Sequence, residues 1–322
     1  MSPTPTADRK ISARDENVHR GWNNALDPIE SVAPGSVVRF ECRGAPDGHF
    51  DGESTAADLE TMSFEGHPLT GPVRIEGAEA GDVLAVEFLE FEHKGFGVSY
   101  FYPSDAGKGL LSESFDDPGL HVWDLDGDVG RFVNGIEVPL APFPGIVGVA
   151  PSESGTHSTV PPRRVGGNMD IKHLTAGSTL YLPIEVDGAL LSIGDCHAAQ
   201  GDGEVCVTGI EAPMDVTARL SVRSDMDIEG PQFETTGPFT ATGTDEPTYG
   251  TSGVADDLMD ATELAIRHMI DHLEAERGLS HEEGYILCSA AVDLKINQVV
   301  NRPTWTVSAY LPESIFPSDD VS

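Results

Sequence analysis

Asp195 and His197 stand two residues apart at the end of the apolar run "ALLSIGDCH". On a strand, positions i and i+2 face the same way. An imidazole nitrogen beside a carboxylate oxygen suits zinc, or iron and manganese, at roughly 2.0–2.2 Å. The eighteen residues from 194 to 211 hold two aspartates, two glutamates and this histidine. A third ligand must come from elsewhere, and "GGNMDIKH" offers Asn168, Asp170 and His173. The glycine pair Gly166-Gly167 would let backbone come close to a ligand.

Acidic residues are common here, 54 in 322, so a carboxylate near a histidine is cheap. Placement says more than number. Asp195 closes an apolar strand, and Asp170 follows Gly-Gly-Asn-Met; neither is a place for surface decoration.

The positioning elements can be read outward from this point. Leu191, Ile193, Asp195 and His197 share one strand face, with Cys196 on the other. "AAQGDG" turns the chain and "EVCVTGIE" returns, so the expectation is a hairpin with carboxylates at its tip. "SVAPGSVVRFECRG" alternates as a strand, and "GPVRIEGAEAGDVLAVEFLEFE" reads as strand, turn, strand. "GFGVSYFYPSDAGKGLL" reads as a Gly- and aromatic-rich loop, and "VPLAPFPGIVGVAPSESG" as proline-broken and irregular. Val254, Leu258, Ala261, Ala265, Met269 and Leu273 recur at helical spacing, with Gly278 as C-cap. Ser280 and Glu283 form a capping box for a second helix. "VDLKINQVV" and "TWTVSAYLP" are strands around an Asn-Arg-Pro turn. Residues 225–253 read as a surface excursion or a lid. The expected fold class is α+β and β-rich: a β-sandwich-like body with a smaller α+β portion near the C-terminus and a helical pair at about 254–289. Residues 1–15 are expected to be a disordered tail, and 16–322 one domain.

The charge is extreme, −35 from 54 acidic and 19 basic residues. The acids run from end to end, which favours a solvated shell suited to molar salt over a polyanion built for a cationic partner. The screening length at 1 M salt is roughly 3 Å. The expectation is a salt-adapted, cytoplasmic protein. Nucleic acid is excluded as a partner for want of a basic stripe. No membrane span or secretory leader is expected. The four cysteines, Cys42, Cys196, Cys206 and Cys288, are read as reduced thiols. His49, His67 and His157 read as loop or packing histidines, and His121 as structural beside Trp123. His268, His272 and His281 are read as exposed on helices. Asp126-Gly127-Asp128 is half a calcium loop without its closing glutamate. Phe96, Tyr100, Phe101 and Tyr102 are read as core packing.

The blocks "HPLTGPVRIEGAEAGDVLAVEF", "PFPGIVGVAP", "PPRRVGGNMDIKHLTAGSTLYLPIEVDGALLSIGDCHAAQGDGEVCVTGIE" and "LPESIF" resemble the acetamidase/formamidase family, in the expected order from about residue 20 onward. "GGNMD" and "GDxHAxQGDGE" are the specific ones. The resemblance implies hydrolysis of a short-chain amide to a carboxylic acid and ammonia. It also implies a β-rich fold, a homo-oligomer, and a metal ion, commonly zinc and sometimes calcium. Where many relatives read like "DAxGGQ", this chain has "GAPDGHF", so no ligand is expected from residues 44 to 50.

An amide is a poor electrophile with a poor leaving group. Its hydrolysis needs carbonyl polarisation, a nucleophile and a proton for the nitrogen. Asp170, Asp195 and His197 are the expected ligands of a divalent metal. Glu204 or Glu211 is the general base and acid, with Glu204 preferred because it lies nearer the tip. Asn168, Gln200 or the backbone amides of Gly201–Gly203, with Asp202 between them, are the candidates for holding the oxyanion or orienting the amide. Two alternatives stay open: a Cys196 nucleophile with Lys172 nearby, and a non-catalytic binding module stabilised by metal.

Overall fold

The computed structural model describes residues 5–103, 109–235, 247–298 and 303–317. Two six-stranded sheets form the body. The first runs in the order β1 (Arg9–Ile11), β4 (Val37–Cys42), β15 (Met214–Arg223), β6 (Val83–His93), β13 (Thr179–Pro183), β16 (Gln232–Glu234). The second runs β12 (Gly166–Asn168), β11 (Phe143–Gly148), β14 (Leu191–His197), β5 (Leu69–Ile75), β2 (Val18–His19), with β3 (Glu30–Val32) also pairing with β5. Their inner faces share one core, with Phe40, Val86 and Phe88 from the first sheet and Val73, Val147 and Ile193 from the second. This is the expected β-rich sandwich, and it follows from alternation: β4 buries Val38, Phe40 and Cys42 while Glu41 is exposed. The two strands read around the Gly-Ala-Glu-Ala-Gly-Asp turn, β5 and β6, lie in opposite sheets.

A four-stranded sheet, β10 (Glu137–Pro139), β9 (Val129–Arg131), β8 (Gly119–Asp126), β7 (Phe96–Phe101), adjoins this body. A three-stranded sheet, β17 (Thr248–Ala255), β19 (Trp305–Pro312), β18 (Asp293–Gln298), carries helices α1 (Leu258–Arg277) and α2 (His281–Ala291). The helix pair thus starts four residues later than expected, at 258 rather than 254, because the Asp257 carboxylate accepts from the N–H groups of Met259 and Asp260. Val254 therefore belongs to β17. Gly278 ends α1 in the left-handed conformation, and Ser280 and Glu283 make the capping box that opens α2.

Other expectations are corrected. Residues 1–15 are not all tail: Arg9–Ile11 pairs in parallel with Val38–Phe40, and the Val37 N–H donates to the Asp8 carboxylate. The aromatic stretch is not all loop, because Phe96–Phe101 pairs with β8; residues 104–108 lie outside the described residues. Nor is the proline-rich stretch irregular throughout, since Phe143–Gly148 is buried between β12 and β14. Pro144 fits there because its partner Cys196 takes a hydrogen bond on its carbonyl from Ala212. The excursion over 225–253 ends in strands β16 and β17; its residues 236–246, like most of the Asn-Arg-Pro turn, lie outside the described residues.

Candidate active site

β14 is hydrogen-bonded between β11 and β5 as far as Gly194, and the site begins where that order stops. Asp195 turns to φ +52°, Asp170 just past β12 has φ +49°, and Glu204 has φ +47°. Three of the eight described non-glycine residues with positive φ are thus acids of one cluster. Such left-handed positions cost energy and gather at functional sites. The return of the chain is looser than a regular hairpin. Ala198 and Ile210 exchange backbone bonds across the ribbon with their neighbours, and Glu211 bridges both His197 and Val98. Residues 200–209 form a compact loop between them.

The cluster centres on His197. Its Nε2 lies 3.2 Å from Glu211 Oε1, 3.7 Å from Asp195 Oδ1 and 3.8 Å from Glu204 Oε1. Ligand atoms of Asp170, Asp195 and His197 lie within 4.8 Å of one another, as do those of His197, Glu204 and Glu211. His197 Nδ1 donates to Gln200 Oε1 at 2.7 Å, and Gln200 Nε2 donates to the Asp170 carbonyl at 3.2 Å. The Gly209 N–H donates to both Glu211 Oε1 at 2.9 Å and Glu204 Oε1 at 3.1 Å.

Electrostatics calls for positive charge here. Burial pushes the Asp170 carboxyl up to about 7 against the pull of His197. Burial likewise raises Glu211 to about 7 and drives Glu204 well above the carboxylate range. For Asp195 burial acts upward too, but His67 and His197 outweigh it and hold the carboxyl low. Burial opposes charge on His197, yet Glu211 and Asp195 outweigh it and draw the imidazole well above its ordinary value. A proton on Nε2 or a divalent cation at the same place answers the same demand.

The residues fit a cation. His197 Nε2, Asp170 Oδ1 and Glu211 Oε2 are buried without a hydrogen-bond partner among the described residues. Gly145 on β11 leaves the space open: a Cβ there would meet Asp170 Oδ1 and the Asp195 carbonyl at 2.7 Å and His197 Nε2 at 3.0 Å. The Gln200 bond is the outer-shell partner that a metal-bound histidine generally has.

The cluster floors a cavity of about 250 Å³. Its walls include Met62, Phe64, Tyr100, Tyr102, Val160 and Val207. Asp170, Asp195, His197, Glu204 and Glu211 come together as their spacing suggested, and Asn168 lines the same cavity. Both ends of the Gln200 amide are taken up within the protein, by His197 Nδ1 and by the Asp170 carbonyl. Asp202 turns away from the cluster, to Lys172 Nζ at 3.3 Å, and Lys172 also pairs with Asp293. His173 joins neither ligand group. Gly166 leaves no room for a ligand: a Cβ there would lie 2.4 Å from the Val147 carbonyl, so it serves the β11–β12 crossing. Cys196 packs into the core against Cys42, and this contact and burial push its thiol well up, which removes the thiolate a nucleophile needs. His67 is the residue that spacing missed. It lines the cavity, and its Nε2 lies 3.7 Å from Asp195 Oδ2.

The sequence profile of the Acetamidase/Formamidase family matches residues 6–158 and 153–318. The chain belongs to the acetamidase/formamidase family. It is therefore an amidase. Among family relatives, it is 28% identical to a formamidase of Methylophilus methylotrophus over 97% of this chain and 92% of that one. It superposes on a gamma lactamase from Delftia acidovorans with a TM-score of 0.86 and 26% identity, covering 96% of this chain and 93% of the other. An acetamidase from Bacillus halodurans is 33% identical, with a TM-score of 0.66 over 94% of this chain and 97% of its own. Among the described residues, no helix of this family member is long and apolar enough to cross a membrane.

Proposed function

We propose that this amidase hydrolyses a short-chain aliphatic amide, formamide- or acetamide-like, with a water activated at a divalent metal. The observation that carries the reading is the convergence of four carboxylates on one imidazole nitrogen at the floor of a small, apolar-walled cavity. Asp170, Asp195 and His197 would hold the metal, zinc by its nitrogen ligand and calcium if the carboxylates dominate. Glu211, deepest beside Nε2, would complete the set. When bound, such an ion polarises a carbonyl and lowers the pKa of a water.

The chain's own residues do the rest. Glu204 sits at the edge of the cluster facing the cavity, and is the base that takes a proton from the attacking water. The water oxygen bonds to the carbonyl carbon, the C–N bond breaks, and Glu204 returns its proton to the nitrogen, which leaves as ammonia. Met62, Val160 and Val207 cover the alkyl side and exclude bulk water. The acidic surface supports a cytoplasmic enzyme adapted to molar salt, and the family resemblance supports a homo-oligomer, which sizing chromatography in high salt would read.

The test is ammonia release from formamide, acetamide and 2-pyrrolidinone, with elemental analysis, before and after chelation. Turnover that disappears with the metal and returns on reloading is the expected result. Full activity in metal-free protein would overturn the metal's role, and no turnover of any amide would overturn the substrate class.

A further inference from the structure

We propose that Tyr100 is a further catalytic residue of this site, its hydroxyl donating a hydrogen bond to the carbonyl oxygen of the bound amide and holding that oxygen as negative charge develops on it. The inference rests on the amidase reading above. Tyr100 lines the cavity together with Asp195, Glu204 and Glu211. It is only 7% exposed, yet its hydroxyl has no hydrogen-bond partner among the described residues. A buried phenol ordinarily finds one, and here the open space in front of it is the cavity. The neighbouring Tyr102 hydroxyl, by contrast, approaches the Leu59 carbonyl at 3.5 Å.

Tyr100 is held rigidly. Its N–H donates to Thr208 Oγ1 at 2.9 Å, and that hydroxyl donates back to the Tyr100 carbonyl at 2.9 Å. Its ring packs against Phe50 at 5.6 Å and Tyr102 at 6.0 Å between centroids. A fixed donor stabilises developing charge without reorganising.

Several other donors near the site are committed. Gln200 Nε2 serves the Asp170 carbonyl, the Gly209 N–H serves two glutamates, and Asn168 Nδ2 donates to the Val160 carbonyl at 3.1 Å. The Gly201 N–H, an oxyanion candidate by its place in the turn, donates to the Ser289 carbonyl at 2.8 Å. The carboxylates can only accept when ionised. Burial, Glu211 and Asp195 push the Tyr100 phenol well above its ordinary value, so it keeps its proton at neutral pH.

The experiment compares metal-loaded wild type, Tyr100→Phe and Tyr181→Phe for kcat, KM, metal content and thermal midpoint with acetamide. Tyr100→Phe should lose about 10²–10³-fold in kcat. Its KM should stay within about threefold of wild type, as for a contact made chiefly in the transition state. Its metal content and midpoint should match wild type, and Tyr181→Phe, whose hydroxyl bonds Glu234 away from the cavity, should remain active. A Tyr100→Phe enzyme that keeps its kcat, or loses metal along with it, overturns the proposal while leaving the amidase reading standing. A wild type that turns over no amide overturns that reading, and this inference with it.

Discussion

Gln200 accepts the Nδ1 proton of His197 at 2.7 Å, and this bond turns the other ring nitrogen toward four carboxylates. The same side chain reaches back to the Asp170 carbonyl, so it ties two expected ligands that are far apart in sequence. Removing it should free the imidazole to rotate. Gln200→Leu is expected to weaken metal binding about 10–100-fold, the usual cost of an outer-shell partner. Gln200→Glu keeps the acceptor and should recover most of the affinity. Competitive metal titration of the two variants reads this directly; equal affinities would show that the bond does not orient the ring.

Glu204 and Glu211 divide the work by depth. Glu211 is 3% exposed and lies 3.2 Å from His197 Nε2, while Glu204 is more open and lines the cavity. Glu204→Gln should therefore lose about 10²–10⁴-fold in kcat while keeping its metal. Glu211→Gln should lose the metal first and activity as a consequence. If elemental analysis finds the reverse, the base and the ligand have been assigned the wrong way round.

The strand ending in Asp195 and His197 is legible because alternation and an apolar run are local properties, and so are the caps of α1 and α2. β11 is not legible, because Pro142 and Pro144 mask a strand whose ladder needs no N–H at position 144. His67 and Tyr100 are not legible either. His67 reads as an isolated loop histidine and Tyr100 as one of a run of core aromatics, and only the approach of β7 and the 62–67 segment to β14 brings them to the carboxylates. Asp202 shows the opposite error. It sits two residues from Glu204, yet the turn sends it to Lys172. Nearness in sequence predicts a shared face on a strand, not in a compact loop.

The surface charge makes a separate prediction. With a formal charge of −35, self-repulsion opposes folding wherever salt does not screen it. Below about 1 M KCl the protein should lose structure, since the screening length grows from roughly 3 Å at 1 M to 10 Å at 0.1 M. Circular dichroism melts across a KCl series would follow it. A melting temperature as high in about 50 mM as in molar salt would remove the argument for salt adaptation.

His19 gives a pH dependence whose sign can be worked out. Its Nδ1–H donates to the Gly21 carbonyl at 2.9 Å, and its Nε2 accepts from the Ser192 hydroxyl at 2.8 Å, on the strand that carries Asp195. The second bond requires the neutral ring, since a protonated Nε2 cannot accept, while the bond to Gly21 survives protonation. Burial holds its pKa down to about 4, against an unfolded value of 6.5. Between these values the unfolded chain binds the extra proton, so stability contributed by neutral His19 is complete above the unfolded value and drains away as pH falls to the folded one. The loss is on the order of 3 kcal/mol. His19→Gln cannot take up that proton, and its denaturation midpoint should fall less than that of wild type between about pH 7 and pH 4. Protonation of surface carboxylates relieves self-repulsion in both proteins alike, so the difference between them isolates the histidine. Parallel pH profiles for the two would mean that His19 tolerates its charge in the folded chain.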